Sequence, residues 1–282
     1  IEHKLGIKAS PTAVLQFGDH GGAVGYLVGE ENRGLEYMFV MMNAARFAVG
    51  MQGIAVAERA YQKAVQYAKD RVQSRDLAGS AGPVAIIHQP DVKRMLMTMR
   101  AYTEAARALA YYAAAAYDAQ HAAPDEAVRK SNQALYEFLV PIVKGFSTEM
   151  SIEVASLGIQ VHGGMGFIEE TGACQYMRDS RITPIYEGTT AIQANDLVGR
   201  KLAKDKDEAG KTGVGAAALT AKIRATVGEL SKDAKLADIG QQLSAALAQF
   251  EKATQWLLAN YDSNPQAALA GAVPYLFLTG VV

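Results

Sequence analysis

Cysteine is almost missing from this sequence: Cys174 is the only one among 282 residues. No intrachain disulfide can form, no thiolate cluster can hold a metal, and no metal site is expected; the composition suits a reducing compartment. An excess of either charge is missing too, because 28 Lys and Arg face 29 Asp and Glu and leave a net charge of −1. Such a balance supplies no overall field to draw nucleic acid or an acidic membrane. Uninterrupted apolar runs are scarce as well. The alanine-rich stretch 101–119 carries Glu104, Arg107 and Asp118, which suits a bundle helix rather than a membrane span. The opening residues Ile1-Glu2-His3-Lys4 show neither an initiator Met nor the basic and apolar blocks of a secretory signal, and the apolar stretch 267–282 stops abruptly. The chain therefore reads as cut at both ends. What is abundant is apolar surface: half of the residues, enough for a sizeable core.

Organisation follows from changes in period. Thr12 to Phe17 and Ala23 to Val28, separated by the Gly/Asp/His turn 18–22, read as a pair of short strands. After Gly34 apolar residues recur at helical spacing (Met38, Met41, Met42, Ala45, Val49, Val56) to about Arg71. A loop at 74–90 precedes a second helical stripe from Val92 through Met95, Met99 and Leu109 to Ala113. A third stripe runs from near Asp125 to Leu157 and should kink at Pro141, which removes a hydrogen bond. A shorter helix from about Gly188 to Leu202 completes the set. The expected fold is mainly α, a four-helix bundle preceded by a short β segment and followed by a helical extension. Its divisions are 1–30 for the β segment, 31–202 for the bundle, 203–215 as a charged, glycine-bearing linker, and 216–282 as a separate helical extension.

Two stretches could carry chemistry. Gln160-Val161-His162-Gly163-Gly164-Met165-Gly166-Phe167 joins a helix end to a glycine turn. Glycines there let backbone N–H groups approach a phosphate or sugar; on spacing alone, an ordinary helix C-cap is the stronger reading. Downstream comes Arg178-Asp179-Ser180-Arg181-Ile182-Thr183-Pro184-Ile185-Tyr186-Glu187-Gly188-Thr189-Thr190. Alone, Glu187 reads as a helix-start carboxylate favoured by the macrodipole. As a base it would need a water-poor site that raises its proton affinity.

In combination these segments resemble the acyl-CoA dehydrogenase family, which has a Gln-x-x-Gly-Gly-x-Gly-Phe turn and, after an Arg-Asp pair, Ile-Tyr-Glu-Gly-Thr. The likeness reaches upstream, where Lys4 to Thr12 resembles the end of the family's middle β-domain and Gly29-Glu30-Glu31-Asn32-Arg33-Gly34-Leu35 the entry to its C-terminal helical domain. It covers residues 1 to about 202, and the extension beyond resembles that of larger, bacterial-type members. The resemblance implies Glu187 as catalytic base and Gly188 at the thioester end of the substrate. Thr189 and Thr190 would contact FAD, although Ala191 replaces the family's following Gln. It implies flavin contacts at Arg71, Gln73, His88 and Gln89, with Ser74 and Arg75 departing from the family's Phe-Gly. Arg71 and the turn residues Gln160, Val161, His162, Gly163 and Gly164 would reach the FAD of a neighbouring subunit, making the active unit a homodimer or dimer of dimers. Asn43 and Arg46 would contact the CoA portion; the minority arrangement with an acid beside this arginine is absent, since Ala44 and Ala45 stand there.

The implied reaction is oxidation of an acyl-CoA to the trans-2-enoyl-CoA, as part of fatty-acid β-oxidation. Glu187 would remove the α-proton while hydride passes to flavin N5, and electrons would leave to an electron-transfer flavoprotein. A cytoplasmic bacterial enzyme is expected, or one of the mitochondrial matrix. An acyl-CoA oxidase, a non-catalytic flavin- and DNA-binding relative, and a fragment inactive by itself remain as alternatives.

Overall fold

The computed structural model describes Ile1 to Val282 apart from the side chain of Val40. Four legs form the bundle. The first is α1, Gly34–Asp70. The second, α2, is Pro90–Ala122; Pro90 takes its first position, where a missing N–H costs nothing. Asp125 caps α3, Glu126–His162, by accepting from the amides of Ala127 and Val128. The fourth leg is broken into α4, Ala173–Ser180, and α5, Thr190–Val198, with an irregular segment between them.

Contacts fix the directions. Gly50 faces Val143, Gly53 faces Thr148, and Tyr67 stacks on His162, so α1 and α3 run parallel. Met99 reaches Gly158 while Tyr117 meets Tyr136, so α2 is antiparallel to α3. The broken leg descends past Lys63 at Gly172, Gln52 at Tyr186 and Arg46 at Asp196. This is the up-down-up-down arrangement that buries one apolar face per helix.

The α1–α3 approach depends on missing side chains. A Cβ on Gly50 would lie 2.7 Å from both the Val143 carbonyl oxygen and its Cγ1. Gly50→Ala is therefore expected to destabilise the fold by about 1–2 kcal/mol, because overpacking against backbone outweighs alanine's better helix propensity. A denaturant midpoint equal to or above wild type would show that the two helices can part.

The mainly helical bundle agrees with the sequence expectation, and several details correct it. Residues 12–28 form no strands, and Val14, Phe17, Val24 and Tyr26 stand exposed. A lone hairpin without further strands or an apolar cover is only marginally stable. The β-structure lies instead in the expected loop, where β1 (Val72–Arg75) pairs antiparallel with β2 (Pro83–Ala85).

The stretch after the bundle is neither a loose linker nor a separate unit. A π-turn at Gly199–Ala203 leads into a tight loop closed by the Lys206–Thr212 bridge, with the Asp207 carboxylate accepting from the amides of Ala209 and Lys211. Helices α6 (Val214–Leu230), α7 (Ala237–Asn260), α8 (Pro265–Ala270) and α9 (Ala272–Val281) follow. Phe250 and Leu276 share one buried core with Phe138, Leu139 and Leu197 of the bundle. Among the described residues, no helix is long and apolar enough to cross a membrane.

Candidate active site

The break in the fourth leg is the chemically unusual part of the molecule. Thr189 ends it by capping α5, its hydroxyl accepting from the Ile192 amide at 3.4 Å. Immediately before the cap, Glu187 has φ +54° and Gly188 φ +90°. A non-glycine residue in the left-handed region is uncommon and persists only when its surroundings hold it there.

Those surroundings come from three helices. From α3, the Lys144 ammonium donates to the Gly188 carbonyl at 2.6 Å. From α5, the Gln193 amide donates to the carbonyls of Glu187 at 3.1 Å and Gly188 at 3.3 Å. From α1, Gln52 accepts the Tyr186 hydroxyl, and the Thr190 hydroxyl donates to Glu149 of α3 at 2.5 Å. Lys144 and Gln193 are fully buried, whereas Glu187 and Gly188 are partly exposed. Burial pushes the Lys144 ammonium down to about 8, partly countered by Glu149 and Glu187.

With these carbonyls drawn inward, the amides of Glu187, Gly188 and Thr189 donate to no acceptor among the described residues. Successive free N–H groups in a left-handed turn make a concavity that favours negative charge. Beside the loop lies a cleft of about 510 Å³, lined by Lys4, Leu5, Ile7, Ile182, Ile185 and Tyr186 among others. One wall is the N-terminal segment, anchored where the Ile7 amide donates to Asp179 at 2.7 Å.

Asn43 and Arg46 sit further along α1. Asn43, half-buried, borders a polar cleft of about 390 Å³ with Tyr117 and His121. Arg46 is 6% exposed and bonds Asp196 at 2.6 Å, and Asp196 also meets Arg200. The pair engages one nitrogen, Nη1, of the guanidinium that the family resemblance placed near CoA.

The other residues expected to contact FAD gather at the other end of the bundle. Arg71 follows the last turn of α1, and its guanidinium reaches Gln73 at 3.5 Å. Exposed His88 and half-buried Gln89 precede α2, where the Gln89 amide donates to the Arg75 carbonyl. Gln160, Gly163 and Gly164 are exposed at the end of α3. Helical periodicity turns the side chains of Val161 and His162 inward. Val161 joins the core, and His162 bonds the Gly158 carbonyl and stacks on Tyr67 at 4.3 Å. Burial holds the His162 imidazole below its ordinary range. The two groups are far apart, since sixteen residues of α3 separate Lys144 from Gln160, about 24 Å at the helical rise.

Thr189 and Thr190 spend their side chains on the cap and on Glu149. Sequence reasoning missed Lys144, Gln193, Gln52, Glu149 and Asp196. A lysine within the apolar run Ile142-Val143-Lys144-Gly145-Phe146 was a readable signal, since a charge there is seldom buried without a partner. The other four carry none.

Fold and site together define a helical bundle that presents a carboxylate, on a broken leg, next to open amides and a cleft. A family model described as acyl-CoA dehydrogenase, C-terminal domain, matches residues 32–203, and one described as acetyl-CoA dehydrogenase C-terminal like matches 219–282. The chain belongs to the acyl-CoA dehydrogenase family. It is similar to 3-methylmercaptopropionyl-CoA dehydrogenase of Ruegeria pomeroyi, at 56% identity over 99% of this chain and 46% of that protein. The broad-specificity linear acyl-CoA dehydrogenase FadE5 of Mycobacterium tuberculosis is 43% identical over 73% of this chain and 35% of its own. The fold is shared with Caenorhabditis elegans ACDH-11 in complex with C11-CoA, with a TM-score of 0.76 at 23% identity, covering 99% of this chain and 45% of that one. The chain thus spans less than half the length of these relatives.

Proposed function

We propose that the whole protein is an FAD-dependent acyl-CoA dehydrogenase that converts an acyl-CoA thioester to the trans-2-enoyl-CoA. The observation that carries this reading is the Glu187 loop, where a partly exposed carboxylate and three unengaged amides share one turn beside a cleft. Those amides suit the negative charge that develops on a thioester oxygen as the α-proton leaves. Glu187 takes that proton from Cα.

FAD fits the residues at the far end. A Cβ at Gly163 or Gly164 would meet nothing within 4 Å. Gly164 answers to neither internal crowding nor a positive φ, and close approach of an outside group accounts for it. Exposed Arg71 offers the planar guanidinium that suits a pyrophosphate. Arg71 and the turn from Gln160 to Gly164 would reach the FAD of a neighbouring subunit, and Gln73, His88 and Gln89 would contact the flavin. When bound, FAD supplies the acceptor for the hydride leaving Cβ. An electron-transfer flavoprotein is the proposed onward acceptor, and a homodimer or dimer of dimers the working unit, in the bacterial cytoplasm.

The Ruegeria relative suggests a short thioether acyl-CoA as first substrate to try. Anaerobic mixing of the whole, FAD-loaded protein with an acyl-CoA panel that includes 3-methylmercaptopropionyl-CoA should bleach the flavin absorbance and yield an enoyl-CoA two mass units lighter. Unchanged absorbance with every thioester, while FAD stays bound, would overturn the assignment. Rapid reoxidation by O₂ would move it to an acyl-CoA oxidase.

A further inference from the structure

We propose that Lys144 is a positioning residue for the base: its buried ammonium draws the Gly188 carbonyl inward and so turns the Thr189 amide, in the same turn as Glu187, outward toward the thioester. This rests on the reading of Glu187 as base and adds a residue that acts through it.

Geometry comes first. A trans peptide points its C=O and N–H in opposite directions. Holding the Glu187 and Gly188 carbonyls toward the core therefore turns the Gly188 and Thr189 amides outward. Gln193 shares the first task by donating to both carbonyls. Lys144 alone adds charge. Its side chain is fully buried, and the only acceptor it has among the described residues is the Gly188 carbonyl. Burying an ammonium is costly, and a neutral donor such as glutamine would serve a purely structural bond.

The charged groups around it have separate roles. Glu149, on the same helix, is engaged by the Thr190 hydroxyl, and Arg46 of α1 is paired with Asp196 of α5. From α9, Leu276 packs on Gly145 and contributes only apolar surface. The Lys144 ammonium is thus left to the loop, and its charge-assisted bond to the Gly188 carbonyl is stronger than a neutral donor would make.

In the whole, FAD-loaded protein, Lys144→Met is expected to lower kcat by about 10- to 100-fold with KM within about threefold, because the turn loses its hold while the binding surface stays. Gln193→Met should act in the same direction. Lys144→Arg should recover part of the rate.

Wild-type kcat in Lys144→Met would overturn the proposal, and so would a rise in KM that accounts for the whole loss. If that variant fails to retain FAD, Lys144→Gln keeps a donor without the charge, and wild-type kcat there overturns it equally. A wild-type turnover in Glu187→Gln would instead remove the assignment of the base, whatever the lysine variants do.

Discussion

Replacing Glu187 by Gln in the whole, FAD-loaded protein is expected to lower kcat by about 10²- to 10⁴-fold, with FAD content and acyl-CoA affinity near wild type. The amide keeps the size of the side chain and cannot take a proton. Every interaction holding the loop is made by neighbouring groups: Lys144 and Gln193 bond the carbonyls of 187 and 188, Gln52 holds Tyr186, and Thr189 caps α5. None involves the Glu187 carboxylate, so the variant should preserve the turn and isolate the chemistry. Stopped-flow flavin reduction measures the step directly. Wild-type reduction with FAD bound would sink Glu187 as the base.

The largest loss of stability is expected from Asp196→Ala, about 3–5 kcal/mol. Arg46 is 6% exposed, its Nη1 donates to Asp196 at 2.6 Å, and its Nε has no partner among the described residues. Removing the carboxylate strands a buried guanidinium, while Arg200, about half exposed, can turn to water. The double change Arg46→Met with Asp196→Leu should recover most of the stability, because replacing a buried pair by apolar groups is often neutral or favourable. Denaturant midpoints of the three proteins test this. An Asp196→Ala midpoint within experimental error of wild type would mean that Arg46 finds another partner.

Helix positions were legible because period and caps were written locally. Asp125 before α3 and Pro90 at the head of α2 mark boundaries that the structure keeps. The strands expected at 12–28 failed because alternation specifies a face, and that face needs a partner sheet. Extension and bundle looked separate because the charged segment 203–215 has no apolar period, although its order comes from Asp205 and Asp207 bonding its own backbone.

At the site, the motif around Glu187 was legible, but its conformation was not. A left-handed glutamate is maintained by residues distant in sequence, Lys144 and Gln52 among them, and no local pattern records such pairings. Val161 and His162 show the opposite case. The motif included them, while the helical period that places Val154 and Gly158 inside carries both inward as well.

Helix α9 sets an order of events for synthesis. Leu276, fully buried, covers Gly145 beside Lys144, yet it leaves the ribosome long after α3 and the Glu187 loop. Until it arrives, apolar surface around Phe146 and Leu197 lies open. The nascent bundle is thus a sticky intermediate until α9 docks.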